Sequence, residues 1–244
     1  MYWWKANNLT IMGKAWFKIP KFKSFDDKNI LNFEEINNHF AKPLILRSSY
    51  SIEDGKKHAF AWIFESYFPI YTQMDYATWL ERCLNADKNS RFKWYTKINQ
   101  IDISKIYKNF IIQEFIAWDF SWVCFTRNVD NQIVIEIVPW LNEPLVQWSV
   151  KTPFSFVINR NDIKNYNIKN FYMDSNYKTI IDNQVVSKKF DLLQFEEEIL
   201  LFFKDALIYQ FLQIEKLFWY TQDIEFTVKW NDIYILQSRN ITIL

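Results

Sequence analysis

Asp223, Glu225, Gln237 and Arg239 are the residues of this chain whose types and spacing best suit chemistry. They lie within or beside two runs, Ile224-Glu225-Phe226-Thr227-Val228 and Ile233-Tyr234-Ile235-Leu236-Gln237, which read as antiparallel strands joined across Lys229 to Asp232. A strand repeats every two residues, so the four polar side chains can project from one face of the hairpin. Carboxylates and an amide oxygen there make a hard-oxygen site suited to Mg²⁺, which seldom has a full protein cage and usually bridges to nucleotide phosphates. An arginine beside them can grip a phosphate oxygen and stabilise charge during phosphoryl transfer. On patterning alone, the polar outer face of an ordinary amphipathic hairpin is the favoured reading of the same residues.

Arg47-Ser48-Ser49, followed by Glu53-Asp54 and Ala59-Phe60-Ala61-Trp62, forms a second cluster. A strand that ends in Arg-Ser-Ser turns a guanidinium, hydroxyls and backbone N–H groups toward an anion. A solvated loop is the competing reading. No Walker A pattern and no glycine-rich dinucleotide fingerprint is present. His39 and His58 stand alone, and Cys83 and Cys124 form no CxxC pair, so they read as surface or packing histidines and free buried thiols.

The elements that must position these residues are mixed in order, which favours an α+β class over a regular β-α-β alternation. Leu44 to Leu46, Ile111 to Phe115, Val123 to Thr126, Gln132 to Val138 and Phe154 to Ile158 read as strands, and Lys178 to Val186 as a hairpin around Asp182-Asn183. Tyr76 to Leu84 reads as a short helix. A longer one is expected from Asp191, with Leu192, Phe195, Ile199, Phe202, Ala206 and Tyr209 on one face, widened by Leu200, Phe203, Leu207 and Phe211. A lobe boundary is placed near residue 105, giving lobes 1–105 and 106–244.

Composition narrows the function. The net charge of +1 makes no electrostatic case for nucleic acid or an anionic membrane. No apolar run reaches the length of a membrane span and no leader pattern opens the chain, so a cytoplasmic protein is expected. One number is abnormal: a chain of this size should hold roughly 17 glycines. It holds 2, beside 12 tryptophans.

Taken in order, these pieces resemble the ATP-binding domain of the phosphoenolpyruvate synthase and pyruvate phosphate dikinase family, from Lys5 to Thr242. Trp3-Trp4-Lys5-Ala6 and Phe17-Lys18-Ile19-Pro20 resemble the family's opening. Leu46-Arg47-Ser48-Ser49 with Glu53-Asp54 is similar to its Arg-Ser-Ser motif, and Ala59 to Ser66 to the loop that closes over the phosphates. Ser121-Trp122-Val123-Cys124-Phe125-Thr126 and Trp140-Leu141-Asn142-Glu143, with Val146, Trp148 and Thr152-Pro153, resemble two further motifs. Gln222-Asp223-Ile224-Glu225 and Leu236-Gln237-Ser238-Arg239 match the last two.

The resemblance implies an ATP-grasp fold, α+β, with two lobes and ATP in the cleft between them. By motif position Lys5, Arg47 and Arg239 would be the catalytic residues. Nucleotide binding would fall to Lys5, Arg47, Gln113, Glu114, Ile116, Glu143, Asp223 and Arg239, and Mg²⁺ to Glu225 and Gln237. Such a domain passes phosphate from ATP to a histidine on a swivelling domain, which serves a small-molecule acceptor indirectly. Neither the swivel signature nor a barrel is found in this sequence, so the partner domain is expected in trans or on a longer parent chain, and a complete synthase on this one chain is not expected. A degenerate, binding-only domain is the alternative.

Where the family carries glycine, this sequence has Trp3, Trp4, Trp16, Trp62, Trp122, Trp140, Trp148 and Trp219, and Trp230 stands at a hairpin tip. Drift would scatter such changes over many residue types. A uniform exchange suggests a decoding rule, because UGA is tryptophan in some genetic codes and glycine in another. It predicts indoles at positive φ in turns, and several of them exposed or crowding a site rather than joined in one core cluster.

Overall fold

Short alternating runs make the chain strand-rich, and a computed structural model shows how they pair. It describes residues 4–52, 66–116, 120–139, 154–170, 176–181, 184–189, 205–229 and 232–241. The chain divides into two compact units, Met1–Thr10 with Pro20–Ile116 and Ile11–Ile19 with Ala117–Leu244. The division falls within helix α1, Trp4–Lys14.

The first unit is built on an antiparallel sheet, with strands β1 (Phe22–Asp26), β2 (Leu44–Ser48), β3 (Ser66–Ile70) and β4 (Asn109–Glu114) in the order β1-β4-β2-β3. Pro69 is confined to β3, an edge strand, where a missing N–H costs no ladder bond. Leu44, Leu46, Phe110 and Ile112 point to one face and form a core with Phe25, Ile36, Tyr76, Leu80, Cys83 and Phe92. These come in part from helices α2 (Phe33–His39), α3 (Gln73–Leu84) and α4 (Ser90–Ile98). Helix α3 starts at a capping box, Thr72 with Asp75, and buries Tyr76, Leu80 and Cys83 at steps of four and three.

The second unit holds a six-stranded antiparallel sheet. Its strands are β5 (Phe120–Phe125), β6 (Gln132–Pro139), β7 (Phe154–Asn159), β8 (Asp162–Asn170), β11 (Gln222–Lys229) and β12 (Asp232–Asn240), in the order β12-β11-β5-β6-β7-β8. A separate hairpin joins β9 (Asn176–Ile181) to β10 (Gln184–Lys189). Helix α5, Asp205–Phe218, packs on one face of the sheet.

The α+β class expected from the mixed order of elements is what is found. The expected start of the long helix, at Asp191, lies outside the described residues. Within α5 Leu207 and Phe211 are buried as expected, and Ile208 and Ile214 join them, whereas Tyr209, expected on the apolar face, is 57% exposed. Alternating steps of three and four follow a 3.5-residue period, which drifts off a 3.6-residue helix by about 20° per heptad. The local sequence pattern does not mark helices α1, α2 and α4 or strands β1, β3 and β8. In α1 the reason is clear, since Asn8 is buried beside Ala6, Leu9 and Met12 and breaks the apolar stripe. Both cysteines are free and buried, as expected. Among the described residues no helix is long and apolar enough to cross a membrane.

Candidate functional site

The register of β11 and β12 sets Asp223 directly opposite Arg239 and Glu225 directly opposite Gln237. Arg239 donates from Nε and Nη2 to Asp223 Oδ2, each at 2.7 Å, and Gln237 Nε2 donates to Glu225 Oε1 at 3.3 Å. Asp223, Glu225 and Gln237 are buried, while the Arg239 side chain stays 33% exposed. Asp223 thus orients the guanidinium without covering it.

A bulge in β12 creates this arrangement. Phe226 pairs with Ile235, so Leu236 is an extra residue between that pair and the Glu225–Gln237 pair. In a regular strand Ile235 and Gln237 would share one face. The inserted residue lets Ile235 follow Phe226 into the core, where Phe226 meets Phe211 of α5 at 4.5 Å, while Gln237 follows Glu225. The sheet face opposite α5 thereby collects the polar set.

The start of β11 is anchored from several sides. Thr126 N–H donates to the Gln222 carbonyl at 2.9 Å, and Gln222 N–H to Thr126 Oγ1 at 2.8 Å. The Gln222 side chain ties to β12 through Ser238 Oγ at 2.7 Å and Asn240 Oδ1 at 2.8 Å. Arg160 donates to the Thr126 carbonyl and forms a two-pronged pair with Glu215 of α5, at 2.9 and 2.7 Å. Burial alone would raise the Glu215 carboxyl, but hydrogen bonds with Arg160 and Thr126, with the charges of Arg160 and Arg127, hold it below the ordinary glutamate range.

A pH dependence follows. The folded pKa of Glu215 lies below the unfolded one, so the group stabilises the fold above about pH 4.3, the ordinary glutamate pKa. That contribution is lost as pH falls through the depressed folded value. Glu215→Gln is expected to lower the thermal midpoint at neutral pH and to flatten its decline under acid. Parallel acid limbs in the two proteins would show that Glu215 carries no such linkage.

On the same ladder row Glu225 pairs with Val123, and Val123 with Glu136 of β6. Along the sequence Glu136 is only the polar step between Ile135 and Ile137, both fully buried. The register that puts it on the row of Glu225 is a long-range property.

In the first unit, Lys5 in the first turn of α1 donates from Nζ to the Ser48 carbonyl at 3.2 Å. This brings Lys5 to the end of β2 that carries Arg47, although the two are far apart in sequence. Arg47 lies opposite Ile111, and Ile45 opposite Gln113, so Arg47 and the buried Gln113 share the face turned away from Leu44, Leu46, Phe110 and Ile112. Glu114 points to the other side, where its Oε1 accepts the Ala41 N–H at 2.9 Å. Ile116 follows β4 and is half-buried. Glu143, Glu53, Asp54, His58 and the segment Ala59 to Phe64 lie outside the described residues. His39 is exposed and meets the Glu35 carbonyl through Nδ1.

Among the described residues no group of three or more His, Cys, Asp or Glu is placed to hold a metal. Glu225 and Gln237 offer two donors, and turning the Gln237 amide over would present its oxygen in place of the nitrogen. Two protein oxygens suit Mg²⁺, which keeps waters and phosphates as its remaining ligands.

The family model for the AMP/ATP-binding domain of pyruvate phosphate dikinase matches residues 27–244. The chain belongs to this family. The α+β ATP-grasp class expected from the sequence agrees with that membership. The chain is 27% identical to the uncharacterized phosphotransferase YvkC of Bacillus subtilis, over 82% of its own length and 24% of the relative's. It is 24% identical to phosphoenolpyruvate synthase of Pyrococcus furiosus, over 87% of its own length and 28% of that enzyme's. The chain therefore spans about a quarter of the curated relatives it matches. D-alanine–D-alanine ligase of Bacillus anthracis aligns with 97% of the chain and 56% of the ligase, at 12% identity and a TM-score of 0.46.

Proposed function

We propose that this domain is the nucleotide-binding part of an ATP-dependent phosphotransferase. It passes a phosphoryl group from Mg-ATP to a histidine on a separate swivelling domain, encoded in trans or on a longer parent chain. The observation that supports this best is the hairpin, where Asp223–Arg239 and Glu225–Gln237 stand as adjacent cross-strand pairs on one face.

In this reading Glu225 and Gln237 hold Mg²⁺, which would bridge nucleotide phosphates and offset their charge. Arg239, oriented by Asp223, stabilises the phosphoryl group as it transfers. Lys5 and Arg47, held at one end of β2, contact phosphates, with Glu143 assisting in nucleotide binding. The segment Gln113 to Ile116 borders the adenine. A binding-only domain would have no need of all five of Lys5, Arg47, Glu225, Gln237 and Arg239.

Incubation with radiolabelled Mg-ATP tests the transfer route. The chain alone is expected to retain no stable phosphohistidine, since neither His39 nor His58 lies in a phosphohistidine motif. Addition of a swivelling domain from the same genome is expected to give acid-labile label on a histidine of that domain. Direct phosphorylation of pyruvate by the isolated chain would overturn the route.

A further inference from the structure

Glycine is scarce in this protein in a way the backbone contradicts. Positive φ is the conformation in which glycine is at ease and bulky residues are rare. Among the described residues four non-glycine residues adopt it, and two are tryptophans: Trp16 at φ 68° and Trp219 at φ 63°. No glycine does. Gly13 instead lies inside α1, and the other glycine, Gly55, lies outside the described residues.

Both tryptophans follow a helix. After α1, Phe17 N–H donates to the Met12 carbonyl and Trp16 N–H to the Gly13 carbonyl, each at 3.1 Å. These nested bonds are the Schellman pattern, and they put Trp16 at the left-handed C′ position that glycine usually fills. Trp219 comes directly after Phe218, the last residue of α5. Both indoles are largely exposed, Trp16 at 94% and Trp219 at 84%. A large apolar side chain that buries so little and sits where its Cβ is unwelcome gives the described structure little at either place.

Trp122 shows a related mismatch. It is fully buried in β5 against Phe226, yet its indole N–H meets no acceptor among the described residues. Buried indoles ordinarily find one.

We propose that the natural protein carries glycine at positions 16 and 219, and that the codons there are UGA read as glycine. The proposal rests on backbone geometry and composition, and holds whatever nucleotide the domain binds. It also means that the protein made by the cell is richer in glycine than this sequence.

Mass spectrometry of peptides from the source cells, read beside the gene, tests it. UGA at both codons and glycine masses at positions 16 and 219 are expected. UGG at either codon, or a native peptide with tryptophan at either position, would overturn it. A second measurement needs only recombinant protein: W16G/W219G is expected to unfold at a higher temperature than the tryptophan form, or to fold where that form does not. A double variant of equal or lower midpoint would count against glycine as the resident of these caps.

Discussion

Arg239→Ala is expected to slow phosphoryl transfer from Mg-ATP by about a thousandfold or more, the scale on which an arginine at a transferring phosphate acts. Nucleotide affinity should change little, because the guanidinium is proposed to act mainly on charge that develops during transfer. The variant also leaves Asp223 buried without its cross-strand partner, which should cost about 2 kcal/mol of stability. Arg239→Lys separates the two effects. It keeps a cation near Asp223 and so most of the stability, but lacks the planar fork and should remain slow. Rates of transfer to the histidine acceptor, set beside thermal midpoints, check this. A folded Arg239→Ala protein with an unchanged rate would remove Arg239 from the chemistry.

Glu225→Gln is the second large effect. The substitution keeps the shape of the side chain and can keep a hydrogen bond to Gln237, so the β11–β12 hairpin should persist. It removes the only negative charge in the two-donor set of Glu225 and Gln237. Even outer-shell partners of metals are worth about tenfold to a hundredfold in affinity, and a direct ligand should be worth at least as much. Calorimetry with Mg-ATP is expected to show a loss of this size, with a smaller loss for ATP when Mg²⁺ is withheld. Equal Mg-ATP affinity in the two proteins would end the metal role of Glu225.

Much of the fold is legible where a local pattern has one meaning. The alternation in Gln132 to Val138 and in the two last runs marks strands, and Tyr76 to Leu84 reads as a helix. Elsewhere the local signals are mixed. Pro69 argues against a strand until β3 is known to be an edge. Asn8 hides the buried side of α1, and in α5 the 3.5-residue spacing that ends on Tyr209 drifts off the helix, while Leu207 and Phe211 stay on the buried face.

The candidate site divides in the same way. Residue type and two-residue spacing alone nominate Asp223, Glu225, Gln237 and Arg239 for one face, because side-chain direction along a strand is a local consequence of the pleat. The pairing of these residues is not local. It depends on Leu236 being inserted as a bulge, and the bulge exists because Phe226 and Ile235 are both drawn into the core beneath α5 while Glu225 and Gln237 are held on the other face. The meeting of Lys5 with the Ser48 carbonyl beside Arg47, and the arrival of Glu136 on the row of Glu225, are of the same kind. Such contacts join residues far apart in the chain. Local propensity sets which way each side chain points, but burial of apolar surface and completion of backbone hydrogen bonds decide which strands become neighbours and in what register.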